Sequence, residues 1–223
     1  FVSILFFVTR HSSLEMRFFL TGIGTDVGKT VASAVVCKAL GADYWKPVQS
    51  GERDTGGDTA RVRRLLGELA QGQQLYASRY ALHLAASPHL SAAEEGLRIE
   101  VADFQLPDTA RPLIVEGAGG LLVPLNERET MLDLIKALHL PALLVVRAYL
   151  GSINHTLLSV RALEQAGVHI KGLIYSGAPY RDNQEIIATH TGLPTLAQLP
   201  EVSEITAQWV AEQAARLCID NFK

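Results

Sequence analysis

The sequence predicts an α/β fold: one three-layer domain with a mostly parallel central sheet and helices on both faces. Three observations predict it. Short apolar runs of strand length alternate with segments of helical periodicity along most of the chain. A glycine-rich turn, Gly22 to Thr30, joins the first such strand to the first such helix. The 223 residues are 48% hydrophobic, enough for one sizeable core, and no repeat, low-complexity tract or linker divides them.

The first fifteen residues stand apart. Phe1–Val8 is apolar, but too short to cross a bilayer, and it lacks the basic start and cleavage pattern of a signal peptide. Residues 1–15 are expected to be an N-terminal extension or an added edge strand, with Met16 a natural start and residues 16–223 forming the domain.

Arg17–Thr21 suits a buried strand, and Val31–Leu40 a helix that begins near Gly28 and stops at Gly41. Between them lies Gly22-Ile-Gly-Thr-Asp-Val-Gly-Lys-Thr30. Glycines let backbone N–H groups curl around phosphate oxygens, and the helix dipole adds positive potential at the same point. Lys29 can reach β- and γ-phosphates, and the Thr30 hydroxyl can ligate Mg²⁺. The usual phosphate loop has its first glycine at the place of Ile23; here Gly22 makes the loop one residue longer. Strand, loop and helix together predict a P-loop NTPase-type domain.

Ala42–Val48 reads as a strand running into a loop, limited by Pro47, with Gln49-Ser-Gly51 as loop. Lys46 is either a surface lysine on a turn or a cation at the sheet end where ligands bind. Asp58–Leu66 reads as a helix. Asp58 can cap it or hold Mg²⁺ near bound phosphates, and Arg61, Arg63 and Arg64 read as solvated. Leu75–Leu84 fits strand or loop, Ser87–His89 a turn, and Ser91–Glu95 and Glu100–Phe104 helical pieces.

Pro112–Glu116 is a strand that ends in a carboxylate, followed by Gly117-Ala-Gly-Gly120. An acid in that place is the general form of the second metal-binding element of phosphate-loop proteins. Pro141–Val146 gives a further buried strand, and Leu150–His155 leads into a helix over Thr156–Ala166 that Ser152 or Asn154 can cap. A strand over Val168–Tyr175, a turn at Ser176–Pro179, a helix over Gln184–Thr191, a strand over Pro194–Leu199 and an amphipathic helix over Ser203–Leu217 complete the chain.

The formal net charge of −3 gives no support for nucleic-acid binding or a polybasic membrane patch. Cys37 and Cys218 match no metal or redox spacing, which fits a reducing compartment.

Taken together, the phosphate loop, Trp45-Lys-Pro-Val-Gln-Ser-Gly51, Val115-Glu-Gly-Ala-Gly-Gly120 and Leu150-Gly-Ser-Ile-Asn-His155 closely resemble the dethiobiotin synthetases, from Arg17 to about Pro200. The resemblance implies a cytoplasmic homodimer with substrate near the subunit interface. It implies that CO₂ or bicarbonate is joined to 7,8-diaminononanoate and the cyclic urea of dethiobiotin is closed, with ATP as co-substrate and Mg²⁺ as cofactor. The amine captures CO₂ as a carbamate, phosphorylation gives a carbamic–phosphoric anhydride, and the second amine displaces phosphate.

The same resemblance assigns roles to residues. Lys29 and Lys46 neutralise charge on the γ-phosphate and carbamate, with Thr25 and Ser50 near the carbamate and attacking amine. Gly24, Thr25, Asp26, Val27, Gly28, Lys29, Thr30 and Val31 cradle the nucleotide, together with Glu116 and Ser176. Thr30, Asp58 and Glu116 hold Mg²⁺, while Ser50, Gly119, Gly151, Ser152, Ile153 and Asn154 meet the substrate. Lys46→Ala is expected to fold normally yet lose turnover.

The pattern departs in two places. Ser176-Gly177 stands where relatives carry an Asn-Asp pair whose asparagine reads adenine, and the tyrosine that crosses to the partner's substrate has no clear counterpart. The competing expectation is a partition-type switch ATPase. Such chains carry a lysine at the place of Ile23 and a basic or amphipathic surface segment, neither of which is present.

Overall fold

The computed structural model describes residues 16–223, so the expectations for residues 1–15 lie outside the described residues. Strand β1 spans Arg17–Gly22 and helix α1 Lys29–Leu40. Then come β2 (Asp43–Trp45), β3 (Val48–Ser50), α2 (Gly57–Leu66), β4 (Leu75–Tyr76), β5 (Tyr80–Leu82) and α3 (Pro88–Glu94). The second half holds β6 (Leu113–Glu116), α4 (Met131–Leu138), β7 (Ala142–Arg147), α5 (Ser152–Gln165), β8 (Ile170–Ser176), α6 (Asn183–Thr191), β9 (Thr195–Leu199) and α7 (Ala207–Ala214).

Seven strands form one sheet in the order β4-β2-β6-β1-β7-β8-β9, and every pairing in it is parallel. A parallel sheet needs cover on both faces. One face packs Val31, Val35 and Val36 of α1 with Val62 and Leu65 of α2 and Val210 of α7. The other packs Met131, Leu134 and Ile135 of α4 with Val160 and Leu163 of α5 and Ile187 of α6. The chain leaves β1 for β2 on one side and takes up β7 on the other. The loop after β1 therefore opens at the crevice where the strand order reverses, the usual ligand position in such sheets.

Several boundaries differ from the sequence reading, each for a local reason. β2 ends at Trp45, before Pro47, and Gln49 and Ser50 are not loop: Val48–Ser50 pairs in parallel with Tyr80–Leu82 as a separate two-stranded sheet, so the ambiguous Leu75–Leu84 stretch holds two short strands, β4 and β5. Ser87–His89 is not a free turn, because Pro88 occupies the first position of α3, where its missing N–H has no cost. Asp58 caps nothing: Gly56 is the N-cap of α2, and Gln49 Oε1 accepts from the Asp58 N–H at 3.0 Å. Helix α5 starts at Ser152 rather than Thr156, with Gly151 at its N-cap and no side-chain cap from Ser152 or Asn154. The last long helix begins only at Ala207, because Thr206 accepts from the Trp209 N–H at 3.1 Å.

Helix α4 escaped the sequence reading altogether. Its signal is Thr130-x-x-Asp133 with Met131, Leu134, Ile135 and Leu138 buried on one face. The Thr130 and Asp133 side chains form a reciprocal capping box. Thr130→Ala is expected to cost about 1 kcal/mol, read as a lowered midpoint in urea unfolding with an unchanged slope.

Candidate active site

The phosphate loop is shaped by sterics. A Cβ at Gly22 would lie 2.5 Å from Val27 Cγ2, and Gly28 has φ +94°, with an added Cβ 2.3 Å from Ser176 Oγ. No side chain caps the N-terminus of α1, and its first turn holds no acid. Its leading N–H groups therefore remain available to an anion. Lys29 is buried and donates to the Gly24 carbonyl at 2.7 Å. Burial, with the charge of Lys46 beside it, pushes Lys29 down to about 8.

Lys46 follows β2, and its ammonium sits between two carboxylates: 2.5 Å from Asp58 Oδ2 and 3.0 Å from Glu116 Oε1. Burial works to lower its pKa, but Glu116 and Asp58 outweigh that and raise it, so Lys46 is held charged. Burial would likewise raise Asp58, yet Lys46 and the Thr30 hydroxyl hold it below the usual carboxylate range. Thr30 Oγ1 lies 2.9 Å from Asp58 Oδ1 and 3.0 Å from Glu116 Oε1. The structure thus brings Thr30, Asp58 and Glu116 together, with the Lys46 ammonium between the two carboxylates. Two carboxylates and a hydroxyl make a hard oxygen donor set that fits Mg²⁺, and the Lys46 ammonium shows that the cluster accepts positive charge.

Lys29, Thr30, Lys46 and Asp58 line a cleft of roughly 870 Å³ that includes Thr25, Asp26, Gly28, Ser50, Gly119 and Ser176, whereas Glu116 is fully buried and outside the lining; the volume is within the range of small-molecule sites. Gly120 lies beside the phosphate loop: a Cβ there would be 3.5 Å from the Gly22 carbonyl oxygen and 3.6 Å from Gly24 Cα. Ser50 Oγ is buried and has no hydrogen-bond partner among the described residues. At the far end, Arg147 Nη2 bridges to Glu201 Oε1 at 3.2 Å, near Leu199, Val202 and Trp209.

Other expected site residues sit elsewhere. Gly24 and Val27 do not line the cleft, and the Val27 side chain belongs to the core beneath it. Gly151, Ser152, Ile153 and Asn154 also lie outside the lining. Ser152 is fully buried, with its hydroxyl taken by Asn183 Nδ2 at 2.7 Å and the Tyr149 N–H at 3.2 Å.

Two residues of the site were missed in the sequence. Gln49 fixes the start of α2, and so the place of Asp58, through its bond to the Asp58 N–H and its donation to the Gly51 carbonyl at 3.1 Å. Tyr44, fully buried on β2, donates its hydroxyl to Glu116 Oε2 at 3.0 Å. Burial and the Glu116 charge push Tyr44 well above its ordinary value, so it stays a donor.

Comparison with known proteins is consistent with this geometry. A family described as "AAA domain" matches residues 16–208. The chain is 42% identical to the ATP-dependent dethiobiotin synthetase BioD of Cytophaga hutchinsonii, over 92% of this chain and 98% of that one. It is 44% identical to the biotin biosynthesis bifunctional protein BioCD of Bordetella avium, over 86% of this chain and 41% of that one. Among solved structures, a ParA family ATPase from Chlorobium tepidum superposes with a TM-score of 0.55 at 11% identity, covering 91% of this chain and all of the other. At that identity the likeness concerns the fold alone.

Proposed function

The chain belongs to the ATP-dependent dethiobiotin synthetase family, and from that premise we propose that its cleft closes the urea ring of dethiobiotin from 7,8-diaminononanoate and CO₂. The observation that carries the reading is the meeting of Lys29, Lys46, Thr30, Asp58 and Glu116 at the end of the phosphate loop.

The reaction needs three things of these residues. A carbamate is a poor electrophile until its oxygen is phosphorylated, and phosphoryl transfer depends on positioning and charge stabilisation. The glycine-rich loop and the first turn of α1 seat the triphosphate. Lys29 neutralises its terminal oxygens, and Lys46 meets the carbamate and the transferred phosphoryl. Ser50 Oγ offers the attacking amine a polar contact. Thr30, Asp58 and Glu116 hold Mg²⁺, which supplies charge neutralisation on the phosphates when bound. The second amine then displaces phosphate as the ring closes.

Gly151–Asn154 fall outside the cleft of their own chain, and near them Leu150 is 85% exposed. That placement suits the homodimer of the family resemblance, with the N-terminus of α5 serving the substrate carboxylate at the subunit interface. The protein works in the cytoplasm in this reading; among the described residues no helix is long and apolar enough to cross a membrane.

The test is mass detection of dethiobiotin formed from diaminononanoate, bicarbonate and Mg²⁺ with each nucleoside triphosphate in turn. Formation is expected with ATP, together with diaminononanoate-dependent phosphate release. Phosphate release indifferent to the diamine would instead mark a switch ATPase. Base selectivity is expected to be shallow. Ser176 packs against Gly28, and no asparagine stands at the end of β8. The other triphosphates should support turnover within roughly tenfold of ATP, since a hydrogen bond that would tell the bases apart is worth about 0.5–1.5 kcal/mol net and the side chain that would make it is missing. Strict dependence on ATP would contradict this.

A further inference from the structure

Glu116 is gripped unevenly. Its Oε1 faces Thr30 Oγ1 and the Lys46 ammonium, both at 3.0 Å. Its Oε2 points the other way and accepts from Tyr44 Oη at 3.0 Å. Both Tyr44 and Glu116 are completely buried. They come from adjacent strands, where Tyr44 pairs with Ile114 two residues before the carboxylate. The neighbouring residue on β2, Trp45, faces the opposite core, so alternation along the strand puts the Tyr44 hydroxyl beneath Glu116.

We propose that Tyr44 is a positioning residue that ties up Oε2 and makes Glu116 a one-oxygen ligand, favouring the small octahedral Mg²⁺ over the larger Ca²⁺. Mg²⁺ is content with single carboxylate oxygens at near-ideal octahedral geometry, whereas Ca²⁺ takes more oxygens and gains from two-oxygen carboxylates. A carboxylate with one oxygen held by a rigid phenol cannot turn to offer both. The inference rests on the reading of Glu116 as a metal ligand.

The test measures metal binding rather than turnover. Mn²⁺ bound to the protein with a non-hydrolysable ATP analogue is followed by electron paramagnetic resonance and displaced with Mg²⁺ or Ca²⁺. Wild type is expected to bind Mn²⁺ and to discriminate strongly for Mg²⁺. In Tyr44→Phe, the preference for Mg²⁺ over Ca²⁺ read from the two displacements should fall roughly tenfold. An unchanged Mg²⁺ to Ca²⁺ ratio in folded Tyr44→Phe overturns the proposal. A wild type whose Mn²⁺ affinity is unaltered by Glu116→Gln overturns the metal-ligand reading beneath it. Should Tyr44→Phe not fold, infrared difference spectra of wild type decide. The carboxylate bands lost in Glu116→Gln should show one-oxygen ligation with Mg²⁺ and Ca²⁺ alike, and a two-oxygen signature with Ca²⁺ defeats the idea.

Discussion

Lys46→Ala is expected to lower dethiobiotin formation by roughly two to three decades, the usual consequence of removing a preorganised charge stabiliser. The ammonium lies deep between Asp58 and Glu116, and its charge adds to the effect of burial in lowering Lys29. Substrate binding elsewhere in the cleft should be largely preserved, so the loss should fall on kcat. The structure revises the expectation of normal folding. Glu116 is fully buried, and removing one partner of a buried ion pair costs about 3–5 kcal/mol. Asp58 is partly open to solvent, which softens the effect. The variant should melt earlier than wild type and regain part of the difference when Mg²⁺ and nucleotide are added. Near-normal turnover in the variant would falsify the assignment of Lys46.

Lys29→Met is expected to abolish measurable nucleotide binding while making the free protein more stable. The wild-type ammonium is buried and its pKa falls from 10.5 to about 8, a difference worth roughly 3 kcal/mol at most. For a lysine lowered in this way, the penalty is fully present below about pH 8 and fades as pH rises towards 10.5. At pH 7 the methionine variant should therefore unfold at higher denaturant than wild type, and the gap should close by pH 10.5. The bond to the Gly24 carbonyl is lost in the exchange, which trims the gain by about 1 kcal/mol. Chemical denaturation at the two pH values, beside titration with an ATP analogue, checks both halves. A variant less stable than wild type at pH 7 would show that the resting site tolerates this charge without cost.

Much of the architecture was legible because strand-length apolar runs and glycine stops report the backbone directly. β1, α1, β6, β7, β8 and β9 fall within a residue or two of where periodicity places them. α4 was passed over although its capping box and its Met131, Leu134, Ile135, Leu138 spacing are plain in the chain. The β3–β5 pair was hidden for a different reason: three-residue strands joined across some thirty residues leave no periodic trace. At the site, Lys29, Thr30, Asp58 and Glu116 carry recognisable chemistry at recognisable places, and the fold gathers them. Tyr44 and Gln49 do not, because a tyrosine in an apolar strand reads as core and a glutamine in a loop reads as solvent-facing. Their roles exist only through contacts with Glu116 and the start of α2.

The contact between Gly28 and Ser176 makes two positions far apart in the sequence sterically dependent on each other. The hydroxyl on β8 fills the room that any side chain at position 28 would need. Change at either site is thus judged against its companion. Alanine at 28 meets both a left-handed backbone and an occupied neighbour, and trimming 176 lifts only the second obstacle. Substitutions at 28 and 176 are therefore expected to combine non-additively in stability, as residues in direct contact do.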